Sequence, residues 1–370
     1  STVSWTFTTA ARPTVTSVTP ASGATNVAVN STISLAFSEA VTGQTIVVTD
    51  PAANAVAGSS AFNAATKTAT FTPSAPWNSS MTYGIAASGG TNAAGATMLP
   101  ITSSFTTINY GCPCQLFAPS ATPTTSTVVD FSSTELGLRF KADVNGYITG
   151  VRFYKGQYNG GTHVGSLWTN TGTLLGRVTF SGESSTGWQQ ATFSAPVPVT
   201  AGTLYVVSYH ANSGLYAQTA NYFANGGAMD NGPLHAPTGA NGLLLHSSSP
   251  SFPSTTSTSA ANYFVDAVFK SAAAPSVTAT TPTNGATRAS TSASLTAQFN
   301  VPVQSSGLTF TLVNSSGATI SGVVSLDSTG VIATFNPNSS LSRTTFTASV
   351  RAKDTFGNQM VLPFTWSFST

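Results

Sequence analysis

The sequence predicts an all-β protein made of antiparallel β-sandwiches, and three observations lead to this fold class. Apolar residues recur at every second position in short segments such as Ile33-x-Leu35-x-Phe37. Gly, Pro and Asn interrupt the chain about every 8 to 12 residues. No segment has a long helical period. Because one sandwich takes about 100 residues, a chain of 370 residues has room for three domains.

The two ends of the chain repeat each other. Residues 13–37 and 275–299 match at a constant offset of 262 residues, and they share their Pro, Gly and Thr turn positions and their alternating apolar strand. Both copies close on a short aromatic strand, at 104–107 and at 366–370. Each copy is therefore predicted to be one sandwich of about 95 residues, the size of a small β-domain. The predicted domains are 11–108 and 273–370.

A Pro-x-x-Gly-Ala-Thr turn followed by an apolar strand opens each copy, at Pro20 and at Pro282. This pattern resembles the bacterial immunoglobulin-like (Ig-like) domain first described in S-layer proteins. The resemblance implies a spacer or adhesive module on a cell surface or in a large exoenzyme, without catalysis. Neither copy has the Asp-rich linkers by which cadherin-like arrays bind calcium, so we expect metal-free joints.

Residues 109–272, between the copies, differ in composition. All four histidines, nine of the ten tyrosines and both cysteines lie here. Segments such as Leu136-x-Leu138-x-Phe140 alternate clearly, and Asn-Gly turns separate them. Their number and spacing predict eight or more strands, so we expect a larger, jelly-roll-like β-sandwich flanked by two Ig-like sandwiches. Any ligand chemistry is expected in this middle domain.

Seven short motifs mark the middle domain: CPCQLF from Cys112, ELG from Glu135, VRFYKG from Val151, HVGSLW from His163, GWQQ from Gly187, SYH from Ser208 and NYFVD from Asn262. Together they resemble a module known only as a domain of unknown function in secreted actinobacterial proteins, which often lies beside Ig-like domains. The resemblance covers the whole segment. It implies the fold class and an extracellular setting, and it implies no catalytic residue.

The middle domain has the residue types of a carbohydrate site. Sugar-binding sandwiches present aromatic rings that stack on pyranose faces, with polar side chains beside them. Gly165 and Gly187 precede Trp168 and Trp188, which suggests exposed rings near loops. The alternative is that both Trp side chains are core residues and that the histidines are merely hydrogen-bonded. The candidate ligand-binding residues are Tyr154, Lys155, Tyr158, His163, Trp168, Trp188, Gln189, Tyr209, His210 and Tyr216.

Metal and catalytic motifs are scarce in the sequence. Neither an HExxH nor a His-x-His spacing occurs, nor a Gly-x-Ser-x-Gly. A structural calcium held by Glu135 and Asp266 is a hypothesis for a jelly roll. Hydrolysis would need two facing carboxylates, such as Glu183 with Asp230 or Asp143. We expect no catalysis and no required cofactor.

Cys112 and Cys114 are the two cysteines of the chain. In an oxidising compartment they would most simply pair with each other in a small ring. Alternatively, each is free or bonds another chain. We favour the internal disulfide with a structural role, because the redox motif has two intervening residues.

Charge is low throughout the chain. Asp, Glu, Lys and Arg make up 6% of the residues and the net charge is +2, so no basic stripe favours nucleic acid or an anionic membrane. No apolar run is long enough to insert into a bilayer. We expect a secreted bacterial binding or surface-display protein whose partner is a polysaccharide or cell-surface glycan. The alternatives are a structural stalk or self-assembling surface-layer subunit and, second, an accessory region of an extracellular polysaccharide hydrolase.

Residues 1–10 read as the closing strand of an Ig-like repeat upstream of the first domain. Trp5-Thr6-Phe7-Thr8-Thr9 is similar to the closing strands of both copies. An isolated apolar strand exposes unpaired backbone groups. We therefore expect residues 2–8 to pair with an edge strand, either of the first Ig-like domain or of another copy of the chain, which would make 1–9 a self-association segment.

Overall fold

The fold was obtained as a computed structural model, which describes residues 3–5, 10–224, 229–237, 239 and 241–370. The chain forms two compact units, residues 1–109 and 110–370, and each is described by itself. The second unit contains both the middle domain and the second Ig-like domain. The predicted all-β class is confirmed, since the described residues form strands β1–β28 and one short 3₁₀ helix, Ser305–Gly307.

The first unit is a two-sheet sandwich with sheet orders β1-β3-β6-β5 and β2-β8-β7-β4. Ile33, Leu35 and Phe37 on β3 are buried, as their alternation predicts. The ring of Trp77 packs between Phe71 and Phe105 and joins the two sheets. The strands are β1 (Val15–Thr19), β2 (Ala24–Val27), β3 (Ile33–Phe37), β4 (Thr45–Thr49), β5 (Gly58–Asn63), β6 (Thr68–Pro73), β7 (Thr82–Ser88) and β8 (Ile101–Thr107).

The second Ig-like domain repeats this plan with sheet orders β22-β23-β26-β25 and β24-β27-β28. β22 and β23 start 262 residues after β1 and β3, so the repeat seen in the sequence is also a repeat of strands. Leu295, Ala297 and Phe299 are buried. The strands are β22 (Val277–Thr281), β23 (Leu295–Phe299), β24 (Thr309–Asn314), β25 (Gly322–Leu326), β26 (Ile332–Pro337), β27 (Thr345–Arg351) and β28 (Phe364–Ser369).

The middle domain is a larger set of antiparallel sheets. A long sheet has the order β13-β12-β15-β10-β18-β17 with β19 and β20 attached through β10, and smaller sheets are β14-β11-β21 and β16-β9. The strands are β9 (Thr125–Val129), β10 (Thr134–Ala142), β11 (Gly146–Lys155), β12 (Val164–Thr169), β13 (Leu174–Thr179), β14 (Gly187–Val199), β15 (Tyr205–Ala211), β16 (Leu215–Gln218), β17 (Met229–Asn231), β18 (Leu234–Ala236), β19 (Gly242–His246), β20 (Thr255–Thr256) and β21 (Val265–Ser271).

The centre of the long sheet is buried on both faces. Every residue of β15 is buried, including the polar residues Ser208 and His210. β11 packs on one side of this sheet, and the segments around Phe252 and Pro253 cover the other side. Polar side chains of β15 are therefore enclosed and must find partners inside the protein.

A joint connects the middle domain to the second Ig-like domain. Tyr147, near the start of β11, is buried with Ala272 and Val301, and its ring centroid lies 5.5 Å from that of Phe356. Its hydroxyl donates a hydrogen bond to Asp354 Oδ2 at 3.1 Å. Burial raises the pKa of Tyr147, so the phenol is protonated and acts as the donor at neutral pH.

The joint residues are particular to the second copy. At the offset of 262 residues, Asn92 and Ala94 stand in the first domain where Asp354 and Phe356 stand in the second, and Glu39 stands where Val301 does. Both turns have the same backbone, because Asn92 and Asp354 each accept hydrogen bonds from amides two and four residues later. The scaffold is therefore shared, and the apolar contact surface is not.

In the described part of the chain, no helix has the length and apolarity needed to cross a bilayer. At the amino terminus, residues 3–5 lie outside strands and Trp5 is 88% exposed. The rest of the predicted pairing segment, 2 and 6–8, lies outside the described residues, so its pairing stays a prediction.

Candidate functional site

Three motifs of the middle domain meet at one buried ion pair. Arg152 Nη2 lies 2.8 Å from Asp266 Oδ2, and both side chains are almost completely enclosed. The two carboxylate oxygens also accept the backbone N–H groups of Leu116 and Phe117, each at 3.0 Å. Arg152 in turn donates to the carbonyl of Phe117. This network fastens the CPCQLF segment to β11 and β21, so these motif residues are structural.

Trp188 belongs to the same cluster. The Arg152 guanidinium lies 4.1 Å from the centre of its ring, which is a cation–π contact. The ring also stacks on Phe117 with a centroid distance of 6.0 Å, and its Nε1 donates to the carbonyl of Ala121 at 2.9 Å. Tyr154 meets the ring edge-on at 5.9 Å. Trp188 and Tyr154 are half-buried, and their contacts are with the protein itself.

Trp168 is buried, so the predicted exposure of this ring is wrong. It is 5% exposed and packs on Val206 and Leu243. Its Nε1 donates to Ser208 Oγ at 2.7 Å, and Ser208 donates to Glu135 at 2.6 Å. The adjacent Gly165 reflects close packing, because a Cβ there would lie 2.9 Å from Val151. Gly165 therefore indicates tight packing in the core and not a loop.

His163 anchors a second buried polar cluster. Its Nδ1 lies 2.9 Å from Glu183, which pairs with Lys155 at 2.7 Å, and its Nε2 lies 3.0 Å from the side-chain amide of Asn159. Burial lowers the pKa of His163, and the carboxylate of Glu183 opposes that effect only in part. The neutral imidazole therefore holds the β11–β12 loop from within.

The remaining candidates are also enclosed. Tyr209 is fully buried and stacks on Phe153 at 4.2 Å, His210 lies 3.3 Å from Glu135, and Tyr216 is 8% exposed. Gln189 is buried and bonds the 184–187 turn. The predicted exposure of these residues is wrong. Tyr209 and His210 lie on β15, which is covered on both faces. Gln189 and Tyr216 are buried on β14 and β16.

The calcium hypothesis does not fit the two carboxylates. Asp266 is neutralised by Arg152, and Glu135 accepts from Ser208 and from the N–H of Ser251. A calcium ion needs six to eight oxygen ligands, with carboxylates free to bind it. Among the residues that the structure describes, no three His, Cys, Asp or Glu side chains are grouped so that they could hold a metal ion.

The carboxylates suggested for hydrolysis fall into separate clusters. Glu183 binds Lys155 and His163, whereas Asp143 and Asp230 flank His235 at 2.6 and 2.5 Å. Burial disfavours the charged form of His235, but the hydrogen bonds and charges of Asp230 and Asp143 outweigh burial and raise its pKa. This triad ties the β17–β18 hairpin to the end of β10.

Cys112 and Cys114 are bonded to each other, with Cα atoms 4.4 Å apart. Cys114 also pairs with Phe269 of β21 through both backbone hydrogen bonds, at 2.8 and 2.9 Å. The small ring therefore sits where the middle domain begins, beside the Arg152–Asp266 cluster.

Two exposed rings stand at one end of the middle domain. Phe131 is 91% exposed and Tyr158 is 77% exposed, the highest values among its described aromatic residues. Tyr158 is among the sequence candidates, and Phe131 is not. The available signal was its setting in Asp-Phe-Ser-Ser, a lone aromatic residue among turn formers.

Both rings are on loops that contact one turn, residues 212–214. The N–H of Asp130 donates to the carbonyl of Gly214 at 2.9 Å, and the side chains of Ser213 and Asn159 are 3.1 Å apart. Gly214 is required there, since a Cβ would lie 2.7 Å from the backbone nitrogen of Ser132. We call this region the loop end and define it as residues 130–133, 156–163 and 212–214.

The family models that match the chain agree with its domain boundaries. The model described as "Bacterial Ig-like domain" matches residues 9–107 and 271–370, more than half of the chain. The chain belongs to the bacterial Ig-like domain family. Between its Ig-like domains, residues 120–265 match a domain of unknown function, DUF4082. No curated protein matches the chain.

Several solved structures resemble parts of this Ig-like protein. PcoC, a methionine-rich copper resistance protein from Escherichia coli, is 14% identical over 26% of this chain and 98% of its own, with a TM-score of 0.24. CopC from Methylosinus trichosporium OB3b is 11% identical over 26% of this chain and 91% of its own, with a TM-score of 0.24. The S-layer protein rSbsC(31-844) is 11% identical over 97% of this chain and 54% of its own, with a TM-score of 0.22.

Proposed function

We infer that the chain is a secreted, non-catalytic surface-display protein in which the middle domain binds carbohydrate and the Ig-like domains act as spacers. Its Ig-like domains fit a surface or structural protein. The paired charges, the disulfide and the low overall charge support an exported protein that meets a neutral ligand.

One observation carries the proposal: the joint and the loop end lie at opposite ends of β11. Tyr147 is the second residue of β11, Lys155 is the last, and Tyr158 follows in the next loop. At about 3.3 Å per residue, Tyr147 and Lys155 are about 26 Å apart. The second Ig-like domain therefore contacts the middle domain at one end of β11, and the loop of Tyr158 lies at the other end.

The ion pairs within the middle domain favour an uncharged ligand. Arg152 pairs with Asp266, Lys155 with Glu183, and His235 with Asp143 and Asp230. Side chains that are engaged with each other do not attract an acidic or basic partner. Recognition would then rely on rings and hydrogen bonds, which suits the faces and hydroxyls of sugars.

A glycan array probed with the full chain tests this proposal. We expect retention of neutral polysaccharide fragments, with little change between low and high salt because charge contributes little. Retention of acidic glycans alone, abolished by salt, would contradict the charge argument. Absence of any glycan retention would overturn carbohydrate binding.

A structural stalk or self-assembling subunit is the second candidate. The joint favours it, because the buried contacts of Tyr147 with Phe356 and Asp354 suit a connection that resists tension. Sedimentation of the full chain and of a variant without residues 1–9 separates the candidates. Assembly that depends on 1–9 would favour the subunit, and an unchanged monomer would remove it.

A further inference from the structure

We propose that the loop end is the carbohydrate site, with Phe131 and Tyr158 as the stacking rings and the 212–214 turn, which both of their loops contact, as the source of polar groups. This inference rests on the proposed function and adds the location of its site and the class of its ligand, an uncharged pyranose chain.

The two exposed rings stand in loops whose neighbouring residues are held by hydrogen bonds. Phe131 is 91% exposed and Tyr158 is 77% exposed. The residue before Phe131 and the residue after Tyr158 are both held by hydrogen bonds. Asn159 is 1% exposed and bonds both Ser213 and His163. Asp130 binds the turn through its N–H and accepts a hydrogen bond from Tyr216 at 3.5 Å. Rings held this way pay little ordering entropy when they stack on a ligand.

The backbone is strained at the same two positions. Phe131 has φ +59° and Tyr158 has φ +66°, in the left-handed region that disfavours side chains with a Cβ. Glycine or asparagine would be the stable choice at either position. Two bulky aromatic residues kept in this conformation, and exposed, are better explained by contact with a ligand than by packing.

The loop end also presents neutral polar side chains. Gln157, Asn212 and Ser213 are exposed and offer amide and hydroxyl groups. β9 is tied to the Tyr158 loop by a hydrogen bond from Thr127 Oγ1 to the carbonyl of Gln157 at 2.9 Å.

The charged groups near the rings have partners within the protein. Lys155 pairs with Glu183, and the Asp130 carboxylate beside Phe131 accepts a hydrogen bond from Tyr216 and lies 3.7 Å from His246 Nδ1. Rings flanking neutral donors and acceptors match the alternating apolar faces and hydroxyls of a neutral glycan.

The test uses the full chain in affinity electrophoresis with a soluble neutral β-glucan, a soluble mannan and polygalacturonate as the acidic polymer. Phe131→Ala and Tyr158→Ala should each weaken retention by neutral glycan about ten-fold, and the double variant should abolish it. Tyr158→Trp, which keeps a ring, should retain binding. Trp5→Ala is the matched control, because that ring is 88% exposed but lies in the first unit, and it should have no effect.

Each other outcome contradicts the assignment in its own way. If the wild type binds neutral glycan and the ring variants bind equally well, the site is elsewhere although the proposed function stands. If the wild type binds none of the three polymers, the proposed function fails and the site fails with it. Binding to polygalacturonate alone overturns the ligand class. Loss of self-association rather than of glycan retention in the ring variants would assign the loop end to contact between copies.

Discussion

Arg152 lies between Asp266 and Trp188, 2.8 Å from the carboxylate and 4.1 Å from the centre of the ring. One side chain thus satisfies a buried acid and covers an indole face. The consequence is that residues from the beginning, the middle and the end of the domain depend on a single cation.

Replacing Arg152 by Met should destabilise the middle domain by about 3–5 kcal/mol, because it leaves the Asp266 carboxylate buried with only the two backbone amides. Urea unfolding followed by hydrogen exchange of middle-domain peptides measures the loss. The double variant Arg152→Met, Asp266→Leu should recover part of it, since no buried charge is then unpaired. Equal stability of Arg152→Met and wild type would contradict a structural role.

Tyr147→Phe tests the joint. It removes the hydrogen bond to Asp354 and should cost about 1–3 kcal/mol, because a buried carboxylate loses a donor. Amides of the 354–358 turn should exchange faster. The equivalent 92–96 turn of the first domain is the control within the same molecule, and its exchange should not change. If amides of the 354–358 turn exchange as slowly in the variant as in wild type, the Tyr147 hydrogen bond does not stabilise the joint.

Much of this architecture is predictable from the sequence, since the offset repeat and the alternation at Ile33, Leu35 and Phe37 report directly on strands with one buried face. The candidate site is not predictable in the same way. The sequence pattern predicts accessible positions for Trp168 and Tyr209, because glycines and strand ends usually border loops, but β15 is covered on both faces. Burial on the second face depends on segments distant in sequence, such as Phe252, which no local pattern reveals.

The exposed rings are hard to find for the opposite reason. Phe131 interrupts a polar turn, and an isolated aromatic residue in a turn is not part of any alternating apolar pattern. Its functional interest comes from its positive φ and its exposure, and its loop is bonded to the 212–214 turn about 80 residues away. Tyr158 could be proposed from composition alone, but its pairing with Phe131 could not.

Phe131→Gly should stabilise the protein while weakening glycan retention. Glycine adopts φ +59° without the Cβ penalty, which is about 1 kcal/mol for other residues, and the exposed ring makes little contact to lose. Thermal unfolding measures the gain. Phe131→Ala keeps the strain and is the matched comparison. A lower melting temperature for Phe131→Gly than for Phe131→Ala would contradict the strain argument.

Protein from an oxidising compartment should carry the Cys112–Cys114 disulfide. Intact mass after alkylation without reduction should show no added groups, and reduction should expose two thiols. The Cys112→Ser, Cys114→Ser variant should retain the β-sheet contact of residue 114 with Phe269, which is made by backbone atoms. Two alkylatable thiols before reduction would contradict the pairing.

His235 and His163 should respond to pH with opposite signs. The folded pKa of His235 is raised above 6.5 by Asp230 and Asp143 acting against burial, so its contribution to stability is present below pH 6.5 and is lost as the pH rises through the folded pKa. The folded pKa of His163 is lowered by burial, so its contribution is present above pH 6.5 and is lost as the pH falls through the folded pKa. His235→Gln should therefore be least stable, relative to wild type, on the acidic side of neutrality, and this difference should shrink at alkaline pH. The pH-dependent part of the His163→Gln effect should run the other way.

NMR titration of the imidazole C–H signals measures the two pKa values directly, and urea midpoints of the middle domain at pH 5.5, 7 and 8.5 give the stability differences. Parallel slopes for the two variants would contradict the assignment of His235 to an acidic pair and of His163 to a desolvated site.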